Sequence, residues 1–234
     1  MKRYFAEGIL EMMDRPDADR KILSDDLGNL RTINRYFGGL SALRKAVIPL
    51  ALKKKPEDSL SILDLATGSG DQPRSLYDEL HRLGRRVHIT AVDKNEIMLE
   101  EARKLSAGKR DIVFKQGDVL NLQIGERSFD IVTCSLALHH FSRENGIKLL
   151  REMDRICRIG FVVNDLARSV VGVAAAWIYS RLSTRNPMTR YDSVISVRRA
   201  FTQNELISMS HEAGVIPVRI YTAPLFRLIA VKEK

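Results

Sequence analysis

The sequence predicts one α/β domain on a mostly parallel sheet, and three observations carry that expectation. From residue 56 onward, short apolar runs alternate with longer amphipathic stretches, the pattern of βαβ units. One run, Ile62-Leu63-Asp64-Leu65, feeds the turn Ala66-Thr67-Gly68-Ser69-Gly70 and then a helical stretch. The last two runs are joined only by a short segment around Pro224, too short for a parallel crossover, so they form an antiparallel pair. At 234 residues the chain suits one well-buried domain plus an appendage.

The elements follow in order. Residues 1–55 read as helical. Leu23, Leu27 and Leu30 repeat at i, i+4, i+7 with Ile33 continuing the face, Gly38-Gly39 interrupts, and a second helix runs from Ser41 to Leu52. An apolar helical face before the first strand must pack somewhere, so this unit is expected to be a lid over a domain spanning 56–234. Strands are expected at Leu60–Leu65, Val87–Val92, Ile112–Lys115, Asp130–Cys134, Phe161–Asn164, Val218–Thr222 and Arg227–Val231. Helices are expected at Pro73–Leu83, Glu96–Leu105 and Arg143–Cys157, with a helical insertion near 166–200 whose helix covers 166–183. Thr202-Gln203-Asn204-Glu205 is a capping box opening a late helix that Gly214 stops.

Composition narrows the class. Hydrophobic residues at 44% and charged residues at 29% suit a folded globular chain. Cys134 and Cys157 are the only cysteines, and Cys134 lies in an apolar run, which points to free thiols in a reducing cytoplasm. Met1 to Glu7 carries basic residues with no apolar stretch behind them, so no export signal is expected. Val170 to Tyr179, the most apolar stretch, falls well short of the roughly 20 residues that span a bilayer. The net charge of +9 favours acidic partners, but it is dispersed. Its densest cluster, Lys53-Lys54-Lys55 before Pro56, reads as a solvated linker, so nucleic acid is not the expected partner.

The turn after the first strand carries the strongest chemical signal. Gly68 and Gly70 lack a Cβ and let a ligand approach the main chain. A nicotinamide fingerprint would need a third glycine where Pro73 stands, and Asp71 at the helix start repels a pyrophosphate. A cofactor without phosphates and with positive charge fits instead: S-adenosylmethionine carries an ammonium and a sulfonium. Asp93 ends the second strand, where a carboxylate receives ribose hydroxyls. Gln116-Gly117-Asp118-Val119 follows the third strand and suits an adenine edge, and the next run is Phe129-Asp130-Ile131-Val132-Thr133-Cys134-Ser135-Leu136-Ala137-Leu138-His139-His140-Phe141.

With these motifs in this order, from about Leu60 to Asp165, the chain resembles the class I S-adenosylmethionine-dependent methyltransferases. The resemblance implies a Rossmann-like, doubly wound, seven-stranded sheet with an antiparallel last strand. It also implies that Gly68 and Gly70 lie near the methionine moiety, Asp93 at the ribose, and Asp118 and Val119 at the adenine. Ala66 departs from the glycine more common in the family. The cofactor candidates are thus Asp64, Ala66, Thr67, Gly68, Gly70, Asp93, Lys94, Met98, Asp118, Val119 and Ser135. Within the family the chain is similar to small-molecule enzymes, including quinone C-methyltransferases and natural-product O-methyltransferases. Ser135-Leu136-Ala137-Leu138 stands where base-methylating relatives carry an Asn-Pro-Pro-Tyr-type motif.

The acceptor half is read from residues at the carboxyl edge of the sheet. His139 and His140 follow the fourth strand and Asn164-Asp165 ends the fifth. A histidine oriented by a carboxylate is the ordinary general base. In some O-methyltransferases of the family a histidine and an aspartate at these places act together, which His139 and Asp165 match; which of the two histidines acts is open. Trp177, Met188, Arg190 and Tyr191 are expected to line the acceptor pocket. The expected activity is methylation of a hydroxyl on a quinone-, phenol- or natural-product-like acceptor, with no metal. C-methylation of a quinone- or polyketide-like acceptor, RNA methylation, and a non-catalytic interaction protein are the alternatives.

Overall fold

The computed structural model describes residues 1–5, 11–15, 17, 19–36 and 38–234. Ala6 and Glu7, at the end of the segment read for an export signal, lie outside the described residues, as do parts of the 1–55 unit. In chain order the elements are α1 (Arg20–Tyr36), α2 (Gly39–Ala51), β1 (Leu60–Leu65), α3 (Asp71–Arg82), β2 (Val87–Asp93), α4 (Glu96–Leu105), β3 (Ile112–Gln116) and β4 (Phe129–Ser135). These are followed by α5 (Arg143–Ile156), β5 (Cys157–Leu166), α6 (Val170–Ser183), α7 (Pro187–Arg199), α8 (Gln203–Glu212), β6 (Arg219–Ala223) and β7 (Arg227–Glu233). Short 3₁₀ turns lie at Met12–Asp14 and Leu138–His140.

The seven strands form one sheet in the order β3-β2-β1-β4-β5-β7-β6. β1 to β5 pair in parallel, and β7 runs antiparallel to both β5 and β6. The strands are apolar on both sides because helices cover both faces. Ile62, Ile89, Ile131 and Val162 pack with Leu43, Val47 and Leu50 of α2 and with Leu76 and Leu80 of α3. Leu63, Leu65, Val132 and Cys134 pack with Leu149, Leu150 and Met153 of α5 and with Leu206 and Met209 of α8. The strand order reverses between β1 and β4, so the loops after these strands diverge to opposite faces and leave a crevice at the carboxyl edge.

Local caps match the sequence signals. The Thr202 hydroxyl and the Glu205 carboxylate form the reciprocal capping box of α8. Two expectations are corrected. β5 begins at Cys157, expected to end a helix, because it forms ladders with β4 on one side and β7 on the other. The helix expected over 166–183 starts only at Val170, since Leu166 still pairs with Arg227, and Ser169 caps it. The insertion then holds a second helix, α7, whose first turn is capped by Asn186 with Pro187 behind it. Among the described residues no helix is long and apolar enough to cross a membrane.

Candidate active site

A cavity of about 290 Å³ opens at the crevice. Its floor is the turn after β1 (Asp64 to Ser69) and the end of β4 (Ser135, Leu136), and α1 closes it with Leu27, Leu30, Ile33 and Asn34. One face of α6 (Gly172, Ala175, Ala176, Tyr179) and one of α7 (Thr189, Asp192, Ser196) form a further wall. Residues outside glycine rarely adopt left-handed backbone, yet besides Arg127 (φ 50°), away from the cavity, Ala66, Leu136, Leu225 and Phe226 do, with φ between 53° and 62°. These four line the cavity, so most of the backbone strain among the described residues gathers where strand ends turn sharply around it. The left-handed φ of Ala66 is one that glycine adopts without strain.

The turn is stapled to β2 by Asp93. Its carboxylate accepts the Gly68 N–H at 2.7 Å and the Asn95 N–H at 2.9 Å. Burial raises its pKa above the usual carboxylate range, offset in part by these two N–H groups. Gly70, the N-cap of α3, has φ +73°, and a Cβ there would stand 2.9 Å from the Phe114 ring. A Cβ on Gly68 would meet nothing within 4 Å, which leaves that side of the turn open to a ligand. Asp64 is buried at the end of β1, where burial pushes its pKa up to about 6 although the Thr133 hydroxyl donates to it at 2.6 Å. Asp118 is held by the Leu120 N–H at 2.9 Å and the Asn121 side chain at 3.0 Å, which lower its pKa.

Of the cofactor candidates, Asp64, Ala66, Thr67, Gly68 and Ser135 line the cavity. Asp93 ends β2, and Lys94, Asp118 and Val119 follow β2 and β3 along the same edge of the sheet, all outside the cavity lining, and Gly70 backs onto Phe114. Met98 is instead packed in an apolar cluster with Leu23, Leu27 and Met188. The four acceptor candidates are not at the cavity. Met188 is buried in that same cluster, and Arg190 is spent on the carbonyls of Thr184 and Arg181. Trp177 is 51% exposed beneath the Arg181 guanidinium, and Tyr191 faces outward at 38%. The phase of α6 and α7 decides this, and it turns the small residues of α6 inward.

The histidine pair sits on the 3₁₀ turn after β4. His139 Nδ1 lies 2.6 Å from Asp165 Oδ1, and the His139 N–H donates to Asp165 Oδ2 at 2.8 Å. The His139 imidazole and the Leu166 N–H hold the Asp165 carboxyl below the usual range against the cost of its burial. His140 Nδ1 lies 2.8 Å from Asp14 Oδ2, and although burial opposes its charge, Glu11 and Asp14 push its pKa up to about 9. The main chain of this turn is anchored by the Arg3 guanidinium, which donates to the carbonyls of His139 at 3.2 Å and Phe141 at 2.8 Å.

Several site residues carry no local sequence signal. Glu11 faces both histidines and is fixed by α7, since Ser196 Oγ donates to its Oε2 at 2.8 Å and Asp192 accepts the N–H groups of Met12 and Met13. Arg227 opens β7 inside the cavity wall, with Nε and Nη1 buried and without a hydrogen-bond partner, and burial lowers its pKa to about 10. A charged residue at the head of the run Leu228-Ile229-Ala230-Val231 was the one hint available for it.

Known proteins agree with this architecture. Residues 62–160 match the family described as "Methyltransferase domain". Over these residues the chain is similar to a methyltransferase domain. The matched part of the domain covers β1 to the start of β5, which includes the Gly68 turn and the histidine pair. The demethylmenaquinone methyltransferase of Thermotoga maritima is 37% identical over 122 residues, 52% of this chain and 48% of that protein. The ubiquinone/menaquinone biosynthesis C-methyltransferase of Agrobacterium fabrum is 24% identical over 190 residues, 75% of this chain and 72% of that protein. With the first of these relatives, the match thus spans about half of the relative's length. Among solved structures, the plantazolicin methyltransferase BpumL superimposes with a TM-score of 0.70 at 17% identity, covering 96% of this chain and 93% of that one. That structure holds S-adenosylhomocysteine (SAH) and shares the fold.

Proposed function

We propose that the chain transfers a methyl group from S-adenosylmethionine to a small organic acceptor, on a hydroxyl group, within the cavity under α1, α6 and α7. The observation that carries the reading is His139, backed by Asp165, on the wall of a cavity whose floor is the Gly68 turn. The donor set fits the cofactor. The open side of Gly68, the carboxylates of Asp64 and Asp93 and the unpartnered amide of Gln72 suit a nucleoside bearing an ammonium, and Asp71 in the first turn of α3 opposes a phosphate. When bound, S-adenosylmethionine supplies a methyl carbon already activated by its sulfonium.

The chain's own residues then position and deprotonate. With Asp165 holding Nδ1, His139 presents Nε2 to the cavity and takes the proton of the acceptor hydroxyl. The apolar faces of α1 and α6 exclude water and hold the acceptor in line for displacement. In this reading α1 is a lid, tied down by Asn34 Nδ2 to Asp71 at 2.9 Å and by Asn29 Nδ2 to Thr189 at 2.9 Å. Both cysteines are buried free thiols, which fits a reducing compartment such as the cytoplasm, and the cavity suits a small molecule better than a nucleic acid.

The similarity to a demethylmenaquinone methyltransferase favours a second reading, methylation of an activated ring carbon. Incubation with methyl-labelled S-adenosylmethionine and a panel of phenols, hydroquinones and β-dicarbonyl compounds decides between them. Label in a methoxy group supports the first reading, label on carbon the second, and no labelled product from either class contradicts both.

A further inference from the structure

We propose that Glu11, His139 and His140 form a site for a divalent metal ion of the zinc class, open to the cavity. One carboxylate oxygen and one ring nitrogen of each histidine lie within 4.8 Å of one another. Glu11 Oε1 is 3.7 Å from His139 Nε2, and Glu11 Oε2 is 4.0 Å from His140 Nε2. All three residues line the cavity, so a fourth position of a bound ion faces the space where the acceptor sits.

Two features distinguish this cluster from a fortuitous gathering of charge. The first is orientation from behind. Each histidine has its Nδ1 against a separate carboxylate, His139 at 2.6 Å from Asp165 and His140 at 2.8 Å from Asp14, which directs both Nε2 atoms forward. A carboxylate behind a ligating imidazole is the usual outer support of a metal site. The second is a missing partner. Glu11 is only 1% exposed, its Oε2 accepts the Ser196 hydroxyl, and its Oε1 is buried with no hydrogen-bond partner. A buried carboxylate oxygen without a hydrogen bond is costly, and a cation between it and the two Nε2 atoms removes that cost.

The donor chemistry sets the class of ion. Two imidazoles and one carboxylate suit Zn²⁺ or Mn²⁺, whereas Mg²⁺ prefers oxygen ligands and retains its waters. Zinc–nitrogen bonds are about 2.0–2.1 Å, so binding draws the three side chains together by roughly 1 Å. The role of the ion rests on the methyltransferase reading. It holds the acceptor oxygen and lowers the proton affinity of its hydroxyl, the proton leaving to water. In that state His139 is a ligand, and the ion does the work of the base.

The test uses the full chain stripped with a chelator, with metal uptake and SAH binding measured separately by calorimetry. The expected result is one Zn²⁺ per chain, with Mg²⁺ much weaker. Glu11→Gln and His140→Ala abolish the zinc heat, and Asp14→Asn weakens zinc about 10–100-fold, the usual effect of removing an outer partner. SAH binding persists in all three variants and shows that they are folded. Zinc uptake that is absent from the stripped chain, or unchanged in Glu11→Gln, overturns the site even if SAH binds. Zinc uptake without SAH binding leaves the site standing and removes the methyltransferase reading.

Discussion

Asp165 grips His139 twice, the ring Nδ1 at 2.6 Å from one carboxylate oxygen and the main-chain N–H at 2.8 Å from the other. The ring is therefore fixed in both tilt and position relative to β5, and its Nε2 is fixed relative to the cavity. His139→Ala is expected to lower methyl transfer by about 10²–10⁴, the usual worth of a positioned proton acceptor, with SAH affinity unchanged. Asp165→Asn keeps the ring and loses less. Steady-state turnover beside SAH calorimetry checks both, and an unaffected His139→Ala turnover removes this residue from the reaction.

Asp93→Ala is expected to weaken SAH binding by about 1.5–3 kcal/mol, the scale of hydrogen bonds to a charged group. The same carboxylate also holds the N–H groups of Gly68 and Asn95, so the variant loosens the turn as well as removing the proposed ribose contact. Equal affinity of the two proteins in calorimetry would take Asp93 out of the site.

Gly68 and Gly70 should separate under substitution. Gly70→Ala is expected to destabilise the fold by about 1–3 kcal/mol, because its φ of +73° is strained for alanine and the new Cβ meets Phe114. Gly68→Ala meets nothing within 4 Å, so it costs less stability while its methyl group enters the ligand space and lowers SAH affinity. Urea unfolding and SAH titration of the two variants read these effects independently.

Asp64 gives a pH dependence whose sign is fixed by its environment. Its folded pKa is raised from 3.8 to about 6, so the unfolded chain releases this proton first. The stability tied to the protonated group is complete below about 4 and is lost as pH rises through about 6. Asp64→Asn mimics the protonated form and keeps the acceptor for Thr133. Without cofactor it should exceed the parent in stability by on the order of 2 kcal/mol at pH 8, the difference vanishing by pH 4. Denaturant unfolding across that range checks it, and a constant difference would contradict it.

The lid reading of α1 predicts that hydrogen exchange within residues 20–36 slows when S-adenosylmethionine is added, because Leu27, Leu30, Ile33 and Asn34 close on the cavity. Unchanged exchange there would leave α1 as static packing.

The sheet was legible because its strands are short apolar runs with clear turn chemistry. β1 and α4 lie on the expected residues, and the other strands differ mainly by extension at their ends. The floor of the cavity was legible for a related reason, since the residues of a strand-to-helix turn, Ala66, Thr67 and Gly68, lie side by side in the sequence. The acceptor half was not. α6 is apolar on nearly every side, so its sequence does not say that Ala175 and Ala176 face inward while Trp177 faces out. Glu11 meets His139 only because α7 holds the segment before α1 through Asp192 and Ser196, a relation spread over the whole chain.

The cofactor assignment is the central claim, and equilibrium titration of the purified chain with SAH, NAD and ATP under the same conditions tests it most directly. The account predicts one SAH per chain and no heat from either phosphate-bearing nucleotide, because Asp71 stands in the first turn of the helix where a phosphate would dock. Binding of NAD or ATP, with SAH silent, would contradict it.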